Sequence, residues 1–388
     1  MAVLLIGSIT YSGLSAAQIS KLPLDPADES FFGTSVAVDG QTAAVGASGE
    51  SICGAVHTFD LDSSTGIWHH GQRLTPSDEC VPNQFFGRMV AIWQDVLVVS
   101  SGGEFFATER PNTVYVFERR ENGQWRETAR LSPADSDATR TFGASVDVDA
   151  GRILVTAAGD RMHGRYSGSA YVYERNSNGG WTQSHVIVPA GEKTEQRHAF
   201  GVSGALDGNR IIVGAPSVVG SRTGAVYLFE FDETASTWLQ RARFDGFSSA
   251  TLSVDVRGDF AIAGDHEGGM MRRGEARLLV REASGAWRVQ QRLIPSVSSQ
   301  SGGFGMEVGL MHDRALVVGF DEQLDQPTNI DRVVFVFVAH SEGRWLQRHV
   351  VDIGEPDFGS ALSTNHSLAI VGRSGVNTAG AAYVIHIH

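Results

Sequence analysis

From about residue 18 onward the chain alternates short apolar runs with turn residues, and one stretch shows the unit cleanly. Between Ala199 and Gly246, Phe200-Gly201 opens a short alternating segment that ends at Asp207-Gly208-Asn209. An apolar run follows, Ile211-Ile212-Val213-Gly214-Ala215-Pro216, and then a polar loop. Gly224-Ala225-Val226-Tyr227-Leu228-Phe229 leads to a second turn, to Trp238 and to a close near Phe244. Apolar runs of this length, bounded by Gly, Asp and Asn, read as four β-strands joined by turns.

The opening recurs at Phe32-Gly33, Phe86-Gly87, Phe142-Gly143, Phe304-Gly305 and Phe358-Gly359, with Thr251-Leu252 as a degenerate copy. Successive glycine-equivalent positions lie 54, 56, 58, 51, 53 and 54 residues apart. A period of that size with four strands per unit predicts propeller blades. The expected fold is an all-β, seven-bladed β-propeller of four-stranded blades. It forms one domain over residues 18–388, with blades starting near 32, 86, 142, 200, 251, 304 and 358.

Phe-Gly, Val-Gly-Ala-Pro and Gly-Ala-Val-Tyr-Leu-Phe resemble FG-GAP repeats, the blades of integrin α-subunit propellers and of related secreted bacterial proteins and lectins. The resemblance runs from about Gln18 to His388 and implies the fold, which hosts many unrelated activities. It also implies calcium held by an Asp-rich loop between the first and second strands, and here the chain departs from the pattern. The remnants Asp147-Val148-Asp149-Ala150-Gly151 and Asp255-Val256-Arg257-Gly258-Asp259 sit on turns too short to gather a set of oxygen ligands. Asp60-Leu61-Asp62-Ser63-Ser64 falls in a different hairpin. The expectation is no calcium at that position, no other metal site and no cofactor.

The chain ends complement each other. Blade 7 stops at Ile385-His386-Ile387-His388 with no Trp-bearing fourth strand. Gln18-Ile19-Ser20-Lys21-Leu22-Pro23 resembles the blade end Gln72-Arg73-Leu74-Thr75-Pro76, so this segment is expected to complete blade 7 and close the ring. Residues 1–17 are apolar and then small, like a leader, although no basic residue precedes the apolar run. Cys53 and Cys80 fall in loops that a four-stranded meander brings to one face, called here the upper face. A disulfide between them would suit an exported protein, and the expected location is secreted or cell-surface.

Trp68, Trp125, Trp181, Trp238, Trp287 and Trp345 recur at the start of each fourth strand, and alternate positions from them end at Leu74, Leu131, Ile187, Phe244, Leu293 and Val351. A period of two at a fixed place in every blade indicates packing between blades rather than sugar stacking. Trp93 alone breaks this pattern; it replaces turn chemistry on the lower face or plugs the axial channel.

Thirty-one basic against 44 acidic residues, a net charge of −13, argue against nonspecific binding of nucleic acid or anionic membrane. Beyond the first residues no apolar run is long enough to span a bilayer. There is no Gly-x-Ser-x-Gly, His-Glu-x-x-His, phosphate loop or Cys-x-x-Cys. Arg257-Gly258-Asp259 reads as a hairpin turn, Asn365-His366-Ser367 fits a glycosylation sequon, and His386 and His388 alternate on a terminal strand.

The informative residues are those that break the repeat in the upper loops: Phe105, Phe106, His163, Arg165, Tyr166, Arg197, His198, His266, Met270, Met271, Arg272 and Arg273. Aromatic and methionine side chains in exposed loops either contact a partner or fold under their own loop. The expected function is a secreted or surface binding module for a glycan or an extracellular protein, in carbohydrate binding or cell adhesion. The rival is a polysaccharide lyase or hydrolase, in which His163, Tyr166, Arg165, Arg197 and His198 supply base, acid and cation. A purely structural repeat is the third reading.

Overall fold

The computed structural model describes residues 18–24, 30–102, 112–134, 141–161, 167–190, 199–216, 224–248, 252–269, 272–296, 303–320, 332–355, 357–375 and 379–387. They form seven four-stranded antiparallel sheets. Six of them run inner, second, third, outer in chain order, as in blade 4 with Ser203–Asp207, Arg210–Ala215, Gly224–Asp232 and Thr237–Phe247. Second and third strands have neighbouring sheets on both faces, which is why they read as unbroken apolar runs. Val96–Ser101, for example, is buried at every position. Outer strands face water on one side and alternate, as Trp181–Ile187 does.

The seventh sheet closes the ring as expected. Its order is Gln18–Lys21, Ala381–His386, Leu368–Arg373, Phe358–Thr364. Gln18 pairs with His386 and Lys21 with Tyr383, and the Leu22 N–H donates to the Ala382 carbonyl at 2.9 Å. Leu22 is buried in the cluster that holds Phe32, so the first and last blades share one core.

The Phe-Gly pair has a mechanical basis. Phe32, Phe86, Phe142, Phe200, Phe304 and Phe358 are fully buried, and each meets the ring of its blade's third strand edge-on, at 5.2 to 5.8 Å. The following glycine has positive φ, +89° at Gly33, and a Cβ there would collide with the Ala381 carbonyl of the neighbouring blade.

Blade 5 corrects the sequence reading. Leu252 packs beside Gly214, where Gly46 and Gly264 meet the carbonyls of Gly87 and Gly305, but the ring comes from Phe247. Phe247 is fully buried and pairs with Gly224, as Phe200 pairs with Gly168 and Phe86 with Gly54. Its third-strand partner is not a ring but Arg277, whose guanidinium lies 4.1 Å from the Phe247 centroid.

The inner strands of blades 1, 4 and 5 end in two-residue turns with glycine at the first central position and positive φ, +54° at Gly40, +56° at Gly208 and +55° at Gly258; blades 2 and 3 place Gln94 and Ala150 there, also at positive φ. The turn is therefore centred one residue later than Asp39-Gly40 suggests. In blades 1 and 4 the aspartate closes the strand, and its side chain reaches the next blade. Arg257-Gly258-Asp259 is such a turn, flanked by the Arg257–Phe260 pair.

The outer strands lock blade to blade. The Trp125 N–H donates to Gln72 Oε1 at 2.9 Å while Gln72 Nε2 donates to the Trp125 carbonyl at 3.1 Å; Gln291 treats Trp345 in the same way. Two residues after Trp125, Trp181, Trp238 and Trp345, the side chains of Glu127, Gln183, Gln240 and Gln347 accept the backbone N–H of Ser77, Ala134, Ala190 and Ser296. The tryptophans are buried packing residues, apart from the half-buried Trp181.

Candidate functional site

The seven inner strands surround an axial cavity of about 750 Å³. Its wall is held by a row of side chains at alternate positions that reach the next blade. In blade 3, Ser145 Oγ donates to the Gly204 carbonyl, Asp147 accepts from the Leu206 N–H at 2.7 Å, and Asp149 accepts from the Gly208 N–H at 2.6 Å. Asp255 accepts from Leu310 N–H, Asp207 from Gly258 N–H and Asp39 from Gln94 N–H, each at 2.7 Å. The acidic residues read as calcium remnants are thus inter-blade staples.

These carboxyls sit deep in the ring, and burial pushes Asp147 up to about 7, against the two backbone N–H groups that favour its charge. Burial likewise raises Asp255 to about 6, with Arg257 opposing, and Glu307 to about 7, with Ser253 opposing. Arg257 spans the lower end, donating to the Leu310 carbonyl at 3.1 Å. Trp93 lines the same cavity, packed against the blade 3 cluster, so it belongs to the channel wall.

Loops between second and third strands and links between blades share the upper face. Cys53 and Cys80 form a disulfide there, with Cα atoms 5.1 Å apart, as expected. The loop that carries Cys53 also carries Glu50, which begins a chain of polar contacts. Glu50 Oε2 meets His57 Nε2 at 2.7 Å, and His57 Nδ1 meets His70 Nε2 at 2.9 Å. Arg73 Nε donates to Glu50 Oε1 at 2.5 Å. The hydrogen bond to His57 holds the Glu50 carboxyl down to about 2, and burial, then the nearby His57, lowers His70. His57 is buried and His70 exposed.

Of the candidate ligand-binding residues, His266, Arg272 and Arg273 fall on the upper loop of blade 5. Arg272 is exposed and donates to Glu267 at 2.8 Å. The His266 and Arg273 carbonyls accept from Gly303 and Phe304, so this loop is fastened to the start of blade 6. Beneath it Glu275 and Arg277 form a buried ion pair at 2.7 Å. Phe105, Phe106, His163, Arg165, Tyr166, Arg197, His198, Met270 and Met271 lie outside the described residues, as do residues 1–17, Thr251 and His388. Asn365 is buried and its Oδ1 accepts the Ser367 and Leu368 N–H groups at 2.8 Å, so the sequon asparagine caps its own turn.

The sequence reading missed the Glu50–His57–His70 group. The signal was in the repeat: His57 holds the third-strand position filled elsewhere by Tyr115, Tyr171, Tyr227, Phe335 and Tyr383. His70 holds the place of Glu127, Gln183, Gln240 and Gln347. Among the described residues no set of three His, Cys, Asp or Glu side chains gathers as metal ligands.

The sequence profile of the FG-GAP repeat family matches residues 18–59 and 125–173. Both matches begin on an outer strand and end in the third strand of the next blade, so the sequence unit is offset by one strand from the blade. A comparison with curated proteins yielded no match. Among solved structures the chain is similar to a protein of Bacteroides fragilis provisionally named a 6-phosphogluconolactonase. That likeness has a TM-score of 0.52 and 12% identity, over 84% of this chain and 85% of that one. It is similar also to a Bacteroides uniformis protein named in the same way, with a TM-score of 0.53 and 13% identity, over 83% and 85%. At these identities the likeness shows the fold alone.

Proposed function

Starting from a seven-bladed propeller that carries FG-GAP repeats, we propose that this protein is a secreted or surface-exposed binding module that recognises a glycan or a protein surface through its upper loops. One observation carries the reading. The channel and the outer strands repeat their polar contacts from blade to blade, whereas among the described residues the upper face differs between blades 1, 3 and 5. Blade 1 has the disulfide and a Glu–His–His chain; blade 3 has Tyr171 donating to Asp160 at 2.6 Å; blade 5 has Glu275 and Arg277. A rigid ring with variable loops at one end is an arrangement suited to recognition. The disulfide favours an oxidising compartment.

A glycan array probed with the full chain tests this, together with His266→Ala, Arg272→Ala, Tyr166→Phe and His198→Ala variants. Saturable binding that these changes weaken, with unchanged thermal stability, is the expected result. An ultraviolet-absorbing unsaturated product from a uronate polymer would replace the binding reading with a lyase. Wild-type-like binding in all four variants would remove the upper loops from it.

A further inference from the structure

We propose that His57 and His70 form a two-histidine site for a divalent late first-row transition ion, Cu²⁺ or Zn²⁺, with Glu50 orienting His57 from behind. Two unrelated positions of the repeat are altered in blade 1, both to histidine. One lies on the third strand, Ala55–Asp62, and the other on the outer strand, Ile67–Leu74. The two side chains meet, with His57 Nδ1 2.9 Å from His70 Nε2.

The far nitrogen of His57 is bonded to a carboxylate, Glu50 Oε2 at 2.7 Å. That contact fixes the tautomer with Nε2 protonated and turns the Nδ1 lone pair toward His70. A carboxylate behind a histidine is the arrangement that orients metal-binding imidazoles and raises their basicity. Glu50 is itself held: Arg73 donates to its other oxygen, its carbonyl accepts the Gly54 N–H at 2.9 Å, and its loop is tied down by Cys53–Cys80.

Imidazole nitrogens select copper, zinc and nickel over calcium or magnesium. A tetrahedral ion with bonds of about 2.0–2.1 Å holds two nitrogens about 3.3 Å apart, so the rings must open by a few tenths of an ångström. His70 is exposed on an outer strand and can move that far. The ion replaces the proton shared between the rings, and two waters complete its shell, leaving the site open to solvent.

The test is calorimetric titration of the untagged full chain, first stripped with chelator, with Cu²⁺, followed by electron paramagnetic resonance; Zn²⁺ is then added as competitor. The expected result is one ion per chain, with two imidazole nitrogens in the Cu²⁺ spectrum, and a Zn²⁺ affinity at the same site weaker than that for Cu²⁺, so that Zn²⁺ competes only in large excess. His70→Gln installs the residue that blades 3, 4 and 6 carry, so it preserves the fold; it should abolish the one-site isotherm. Glu50→Gln should weaken binding about 10–100-fold, and His69→Gln should leave it unchanged. Three outcomes overturn the proposal: no saturable site, unchanged binding in His70→Gln, or binding lost only in His388→Gln, which would put the ion on the terminal histidines.

Discussion

Aspartate at the last position of an inner strand does in this ring what the same residue does in a calcium loop, but with backbone N–H groups as its cations. Asp39, Asp149 and Asp207 each end one inner strand and fasten it to the next blade. The deeper pair, Asp147 and Asp255, carries a pH dependence. A carboxyl whose folded pKa of about 7 or 6 exceeds an unfolded value near 4 keeps its proton in the folded chain after the unfolded chain has lost it. The unfolded state then binds fewer protons, so stability falls as pH rises from about 4 to 7. Glu50 works in the opposite direction: its contribution is complete above about pH 4.5 and is lost toward pH 2. Thermal midpoints recorded from pH 5 to pH 8 should therefore decline. In Asp147→Asn/Asp255→Asn that decline should flatten; an unchanged slope would place the titration elsewhere. The stapling role was not legible in the sequence, where Asp-x-Asp beside a short turn reads only as the remnant of a ligand set. Only the partner from a blade 59 residues onward, Leu206 for Asp147, decides between them.

At the scale of the strand, the sequence was far more readable. A recurrent spacing of 51 to 58 residues exposes the Phe-Gly pairs of six blades, and the missing outer strand of blade 7 could be matched to Gln18–Lys21 because both ends follow the same pattern. Blade 5 was misread because three additional residues separate Phe247 from the strand Ser253–Arg257, so counting from glycine to glycine lands on Leu252. The histidine pair stayed hidden for a different reason: its members are separated by a hairpin, and only the register of the outer strand brings them together. The N-terminal strand gives the test at this scale. Leu22→Ala removes a fully buried side chain from the core shared by blades 7 and 1 and should cost about 2–5 kcal/mol. Deleting residues 18–24 should lower the melting temperature further and expose the Ala381–His386 edge. A deletion that melts with the intact chain would mean that the ring holds without its closing strand.

Across the whole molecule, stability comes from seven sheets that each need two neighbours, and the disulfide adds a covalent stitch between blade 1 and the link to blade 2. Closing a loop with a sequence separation of 27 should contribute ~3.5 kcal/mol by restricting the unfolded chain. Cys53→Ser/Cys80→Ser should then melt several degrees lower than the oxidised protein, and reductant should bring the wild type to the same value. A double variant as stable as the oxidised wild type would make the bridge incidental. The closing strand carries a further consequence, for synthesis. A ribosome makes Gln18–Lys21 ahead of all seven blades and its partner Ala381–His386 after nearly all of them. Blades 1 to 6 can dock as they emerge, but the latch stays unpaired until Ala381–His386 has been made. A chain that stops short of Ala381 should therefore leave the Gln18–Lys21 strand without its partner and expose an open β-edge.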